Sequence, residues 1–188
     1  EILPYRTAVE KWRDASLRGV ILTGGPASVY EAEAPRVSRE MIDSLGVPVL
    51  GICYGMQLIN YLYGGKVQSA NVSEYGDTLL HTRESALFAN VGRETHVFMN
   101  HNDRVSELPE CFESFAYTDA CPYAEFSCSA RGLYGVQFHP EVRHSVEGTK
   151  MLENFVRGVC GCREVYKAED QIEQMLSGIR AQVGDGLV

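Results

Sequence analysis

The 188-residue chain has no stripe of Lys or Arg. Its 25 acidic side chains outnumber 17 basic ones, for a formal net charge of −8, so neither nucleic acid nor an anionic membrane is an expected partner. Long hydrophobic runs are also missing. The longest, such as Val47 to Cys53, are broken by Pro or Gly far short of the roughly 20 residues that cross a bilayer. The six cysteines include no C-x-x-C pair, which argues against a zinc or dithiol site; no metal is expected, and Cys111, Cys121, Cys128, Cys160 and Cys162 are assigned to packing. In a chain this long, cysteines point to a reduced, cytoplasmic setting more than to a disulfide framework. Neither an initiator Met nor a basic segment followed by an apolar one opens the sequence, so no targeting segment is expected and the chain reads as a fragment. No repeat or low-complexity tract is present.

What is there, at 45% hydrophobic and 22% charged residues, suits one compact core. Gly19 to Thr23 reads as a buried strand running into the tight loop Gly24-Gly25-Pro26. Pro35 to Leu45 reads as a helix with Val37, Met41, Ile42 and Leu45 at helical spacing, stopped by Gly46 and Pro48. Pro48 to Ile52 is a second buried strand, and Tyr54 to Tyr63 a second helix ending at Gly64-Gly65. Strand, helix, strand, helix in this order indicates parallel βαβ units, whose ligands gather at the carboxyl ends of strands. Downstream the pattern shortens to strands at Thr95–Met99, Phe112–Thr118, Tyr123–Ser129 and Leu133–Phe138, which suggests a partly antiparallel extension. Glu147 to Val159 reads as a packed helix. Asp170 to Val183 reads as a polar amphipathic helix leading out of the domain. The expected division is a catalytic domain over residues 1–163 and a connector over 164–188.

Two constellations carry chemistry. Gly51-Ile-Cys53-Tyr-Gly55 places a nucleophile between two glycines where a strand meets a helix, matching the G-x-S-x-G elbow with sulfur for oxygen. The glycines are needed because neighbouring Cβ atoms would clash at so sharp a turn, and the helix start favours a thiolate. With 18 Gly and six Cys the pattern arises by chance at about 0.05, so the motif alone is moderate evidence against an ordinary buried cysteine. Gln137-Phe-His139-Pro-Glu141 follows an apolar strand, and residues i and i+2 of an extended segment share a side. Glu141 can therefore orient the His139 imidazole toward a thiol, as the third member of a triad does. A surface His and Glu beside a Pro-made strand end is the competing reading. Gly24 and Gly25 offer backbone N–H groups that, with that of Tyr54, could form an oxyanion hole, although Gly-Gly-Pro is also a common plain turn.

These residues resemble the class I glutamine amidotransferases, and within them the glutaminase domains of GMP synthetases. The motifs that carry the resemblance are Thr23-Gly-Gly-Pro26, Gly51-Ile-Cys-Tyr-Gly-Met-Gln57, Glu74-Tyr-Gly76, Met99-Asn-His-Asn-Asp103, Gly135-Val-Gln-Phe-His-Pro-Glu-Val142 and Val159-Cys-Gly-Cys162. The resemblance implies a flavodoxin-like α/β fold with a largely parallel central sheet flanked by helices and a small antiparallel extension. It implies Cys53, His139 and Glu141 as the catalytic triad, and Gly25 and Tyr54 as oxyanion donors. Glutamine would be held by Gly24, Gln57, Asn100 and Asp103, with Asp103 suited to the ammonium group. His101 is expected to be structural or gating rather than a second base, and His81, His96 and His144 to be ordinary. The family's first strand, with an Asp-Phe-Gly type motif, has no counterpart after Glu1 and is expected to be missing.

The same resemblance implies that ammonia from glutamine passes to an ATP pyrophosphatase domain that converts XMP to GMP, so the whole enzyme is a ligase. No cofactor is expected in this domain; ATP and Mg belong to the absent synthetase domain, and a homodimer through the full-length enzyme is a further expected partner. Two other readings stand beside it: a stand-alone cysteine hydrolase of glutamyl substrates, which would not depend on ATP and XMP, and a catalytically silent regulatory module of the same fold. Retention of Cys53, His139 and Glu141 together argues against the silent module.

Overall fold

The apolar run after Gly19 forms β1 (Val20–Leu22), and the run after Pro48 forms β2 (Val49–Ile52), paired in parallel with Val20 opposite Val49 and Leu22 opposite Gly51. The computed structural model describes residues 2–7, 15–163 and 168–184 and, apart from residues 70–72, 168–171, 173 and 174, their side chains. Between the two strands lies α1 (Arg39–Leu45). It starts four residues later than Pro35 because Ser38 caps it: the Ser38 hydroxyl accepts from the Met41 N–H at 3.1 Å, which satisfies a donor the helix itself cannot pair. Gly46 ends the helix in the left-handed region at φ 66°, where a side chain would be strained. Helix α2 (Tyr54–Leu62) leaves β2 directly through Cys53, and its first seven residues are buried.

The remaining strands are β3 (Lys66–Thr82), β4 (Glu94–Glu107), β5 (Glu113–Tyr117), β6 (Glu125–Cys128) and β7 (Leu133–Val136). All seven join one sheet in the order β1-β2-β7-β6-β5-β3-β4. The contacts of β2 with β1 and β7 are parallel, and every other neighbouring pair is antiparallel. Core clusters form on both sides of this sheet, one around Leu50, Met99 and Phe138, the other around Val49, Met56 and Phe126. The expected βαβ start is therefore present, and the antiparallel part is longer than the sequence pattern suggests.

Two strands account for that extra length. β3 is not anticipated from the sequence, because its Gln, Ser, Asn, Glu and Asp residues give no continuous apolar face; it forms by pairing along β4, with register shifts between Ser69 and Glu74. β4 continues to Glu107 instead of stopping at Met99, alternating buried and exposed positions, with Thr95, Val97, Met99, His101, Asp103 and Val105 inward. The Asn100-His-Asn-Asp103 motif thus lies within a strand.

Past β7, α3 (Gly148–Glu153) widens into a π turn over Asn154–Val159, so the stretch expected as one packed helix is continuous but irregular. α4 (Ala168–Val183) carries exposed Ile172, Met175, Leu176 and Ile179 at helical spacing. The expected boundary between domain and connector falls at residues 164–167, outside the described residues. No described helix is long and apolar enough to cross a membrane. The six cysteines are free thiols; Cys53, Cys121 and Cys128 are buried, Cys160 and Cys162 half-buried, and Cys111 departs from the packing role by being exposed.

Candidate active site

Cys53 sits where β2 turns into α2, with φ 51° and ψ −107°, a backbone conformation that a residue with a Cβ rarely adopts. The elbow glycines make the turn feasible. A Cβ at Gly51 would lie 2.4 Å from the backbone of Gly55 and Met56, and one at Gly55 would lie 2.1 Å from the Leu22 carbonyl oxygen. β1, β2 and the start of α2 therefore approach so closely that only glycine fits at either position.

β7 supplies the second half. The Cys53 N–H donates to the Val136 carbonyl at 2.8 Å, which sets the end of β7 beside the elbow. The chain stays extended beyond it: Gln137 donates its N–H to Ala124 and His139 to Phe98, at 2.9 and 3.0 Å. His139 Nδ1 lies 2.8 Å from Glu141 Oε1, so the ring presents its Nε2 edge toward the nucleophile. His139 is raised from its ordinary 6.5 to about 10, first by its hydrogen bond with Cys53, then by that with Glu141, against the opposing effect of burial. Burial pushes the Glu141 carboxyl up, but the hydrogen bond and charge of His139 outweigh it and hold Glu141 below the usual carboxylate range. A proton is thus held on the imidazole between a sulfur and a carboxylate.

The Gly-rich loop closes the third side. A Cβ on Gly24 would meet His139 at 3.2 Å and Cys53 at 3.5 Å, and one on Gly25 would meet the Tyr54 ring at 3.7 Å. Gly24 therefore lies beside Cys53 and His139, and Gly25 beside Tyr54.

The expected glutamine-binding residues are placed less uniformly. Asp103 is buried on the inward face of β4, its carboxylate accepting from the Ser28 hydroxyl and, at 3.1 Å, from the Tyr30 hydroxyl. Asn100 is exposed, on the opposite face of the strand, and it is its backbone carbonyl that faces the Cys53 thiol, at 3.8 Å. Gln57 is buried, with its amide N–H groups directed to the Asp103 carbonyl (2.8 Å) and to Gln137 Oε1 (3.2 Å). Tyr54 anchors its hydroxyl on the Pro35 carbonyl at 2.6 Å.

His101 is buried between two acceptors, with Nδ1 3.0 Å from the Asp103 carbonyl and Nε2 3.3 Å from Glu74 Oε2. Glu74 also accepts from the Thr118 hydroxyl at 2.8 Å. With Cys121 Sγ these two side chains form the group of donor atoms among the described residues that lie within 4.8 Å of one another. The guanidinium of Arg104 also acts on Glu74 and Cys121, and its positive charge opposes a cation there. His81, His96 and His144 make peripheral contacts with Glu94 and Tyr117, with Asp77, and with Phe98 respectively.

The elbow, the His–Glu pair and the Gly-rich loop thus converge beyond the ends of β1, β2 and β7. The sequence matches the family "Glutamine amidotransferase class-I" over residues 1–159. The chain belongs to the class-I glutamine amidotransferases. Among amidotransferase relatives, a GMP synthase [glutamine-hydrolyzing] from Lachnospira eligens is 47% identical over 189 residues, covering 100% of this chain and 36% of the relative. The corresponding protein of Bacillus cereus is 47% identical over 186 residues, covering 98% and 36%. The chain thus spans little more than a third of the length of the curated relatives it matches. A crystal structure described as that of a GMP synthase subunit from Thermoplasma acidophilum superposes with a TM-score of 0.74 at 27% identity, over 93% of this chain and 84% of that one. A glutamine amidotransferase from Thermotoga maritima shares the fold, with a TM-score of 0.60 at 22% identity over 87% and 67%.

Two site residues escape assignment from the sequence. Gln137 and Glu74 both lie inside recognisable motifs, but nothing in their spacing says that Gln137 reaches Cys53 or that Glu74 pairs with His101. For Glu74 the available signal is the period of two in β4, which puts His101 inward and in need of a buried partner.

Proposed function

We propose that this chain hydrolyses glutamine to glutamate and ammonia through a thioester on Cys53. The observation that carries the reading is the joint placement of Cys53 on a strained strand-to-helix turn and of His139, held by Glu141, against it. The Cys53 thiolate attacks the side-chain amide carbon of glutamine, and the carbonyl oxygen becomes an oxyanion facing the N–H groups of Gly25 and Tyr54. Each such donor is worth about 2.7–4 kcal/mol in the transition state. The His139 imidazolium protonates the leaving nitrogen as the tetrahedral species collapses, which releases ammonia and leaves the glutamyl thioester. His139, now neutral, takes a proton from water as the water attacks the thioester carbon; collapse expels the Cys53 thiolate, leaves glutamic acid and restores the starting pair. Asp103 holds the substrate ammonium group, and Gly24, Gln57 and the backbone carbonyl of Asn100 complete the surroundings of the glutamine.

In the same reading residues 1–163 are the glutaminase domain and 164–188 a connector. The ammonia passes to an ATP pyrophosphatase domain in the same full-length chain, where ATP and Mg serve the conversion of XMP to GMP in the cytoplasm. Support comes from the names and lengths of the relatives, which extend well beyond the matched segment. Cys53→Ala in the full-length protein tests this division of labour: glutamine-dependent GMP formation should disappear while synthesis from added ammonia persists, and loss of both would overturn it. Labelling with 6-diazo-5-oxo-norleucine should place a single adduct on Cys53.

A further inference from the structure

We propose that Gln137 is a catalytic residue of this site, donating an amide N–H to the Cys53 sulfur, and that Gln57 acts as the positioning residue that fixes which end of the Gln137 amide faces that sulfur. The proposal rests on the glutaminase reading above. Gln137 is fully buried, and its Nε2 lies 3.7 Å from Cys53 Sγ, within reach of a hydrogen bond to sulfur.

An amide side chain presents a donor at one end and an acceptor at the other, so what it offers the sulfur depends on what sets its orientation. Here the setting starts from a group that cannot rotate. The Asp103 carbonyl is a backbone acceptor in β4, and it takes a hydrogen bond from Gln57 Nε2 at 2.8 Å. That requires the nitrogen end of Gln57 at this position. The same nitrogen lies 3.2 Å from one end of the Gln137 amide, which must then be the oxygen. The other end of Gln137 is therefore the NH2 group, and it points at Cys53. A buried relay thus runs from the strand that carries Asp103, through two amides, to the nucleophile.

The Asn100 carbonyl, at 3.8 Å from the same sulfur, can only accept and so favours the protonated thiol. The Gln137 N–H can only donate to the sulfur and so favours the thiolate. A donor is worth more to an anion than to a neutral partner. Gln137 therefore assists His139 in holding Cys53 in its reactive form, and it stabilises the sulfur again each time the thiolate is expelled.

The experiment measures alkylation of Cys53 by iodoacetamide, followed by peptide mapping across a pH series on the full-length protein. Gln137→Met keeps the length of the side chain but offers the sulfur neither a strong donor nor a charge. Its alkylation rate near pH 7 should fall by about tenfold or more, with the midpoint of the rate–pH curve moved upward. Glutamine turnover should fall mainly in kcat, with KM changed little. Gln57→Met, which takes away the donor that fixes Gln137 without adding a charge and so frees its amide to turn over, should move the midpoint in the same direction. A melting curve for each variant establishes folding, and if Gln137→Met does not fold, Gln57→Met decides. Midpoints equal to that of the unaltered protein in folded variants would overturn the proposal. Because alkylation reads the sulfur directly, the result stands even if glutamine proves not to be the substrate.

Discussion

Cys53 holds backbone torsions that most residues avoid, and it can do so because Gly51 and Gly55 let three elements converge around it. Adding a methyl group at Gly55 forces the Leu22 carbonyl out of contact, and backbone atoms cannot swing aside as a long side chain can. Gly55→Ala should therefore cost roughly 3 kcal/mol or more, on the scale of severe overpacking, and displace the nucleophile even where the chain still folds. Thermal melting and Cys53 labelling together check both consequences. Glu141, in the proposed triad, acts differently, through charge and orientation. With Glu141→Gln the imidazole keeps a polar neighbour but loses one cause of its raised pKa, so His139 should titrate below its present value of about 10. The alkaline limb of kcat/KM should move to lower pH, with kcat down by about 10²–10⁴. The linked stability has a definite sign. His139, raised from 6.5, contributes stability that is fully present below pH 6.5 and lost as pH rises through about 10. Glu141, held below 4.5, contributes stability present above pH 4.5 and lost as pH falls through its lowered value. An alkaline limb unmoved in Glu141→Gln would remove Glu141 from the orienting role.

The long β3–β4 hairpin is the element that places Asp103 and the Asn100 carbonyl, and its own polar interior holds it in register. Glu74 stands opposite His101 across the two strands, His101 buried and Glu74 half-buried, with the Thr118 hydroxyl donating to one carboxylate oxygen. Glu74→Ala leaves the His101 ring edge facing nothing, and a buried polar group left unpaired typically costs about 1–3 kcal/mol. The melting temperature should fall accordingly, and KM for glutamine should rise because His101 also bonds the Asp103 carbonyl. A KM unchanged in a folded Glu74→Ala variant would separate the hairpin's stability from the site. The hairpin also shows what could be read beforehand. Cys53, His139 and Glu141 were legible because sharp turns and triads demand particular residues at particular spacings. Strand β3 was not, because its face is polar and its partner lies in a different segment. The extent of β4 was half-legible: its period of two runs through His101 and Asp103, but these polar residues at inward positions disguise a strand whose buried face combines apolar Val97, Met99 and Val105 with side chains held by polar partners in other segments. Cap chemistry explains the late start of α1, where Ser38 competes with Pro35 as the first-turn signal.

At the scale of the whole molecule, β6 lies at the centre of the seven-stranded order, with β7 on one side and β5 on the other. Glu125 on this strand is fully buried, accepts the Phe115 N–H through Oε2 at 2.8 Å, and leaves Oε1 without a partner among the described residues. Removal from water dominates its titration and raises it from 4.5 to about 8, against the smaller opposing effects of the Phe115 hydrogen bond and the Arg83 charge. The folded protein thus carries a neutral carboxylic acid at pH 7, whereas the unfolded chain carries a carboxylate. Between about pH 4.5 and 8 the folded state binds the extra proton, so this residue's contribution to stability declines as pH rises and levels off above 8. Because reaching Glu125 means opening the sheet between two core clusters, the effect belongs to global unfolding rather than to local fraying. Glu125→Gln keeps an acceptor for Phe115 and has no charge to desolvate. Its unpartnered amide sets a constant offset, but the difference in melting temperature, variant minus unaltered protein, should grow by several degrees from pH 5 to 8 and then stay flat, at about 2–4 °C per kcal/mol for a chain of this size. Parallel melting curves across that range would mean that water reaches Glu125 in the folded state, and that the centre of the sheet is less closed than its packing indicates.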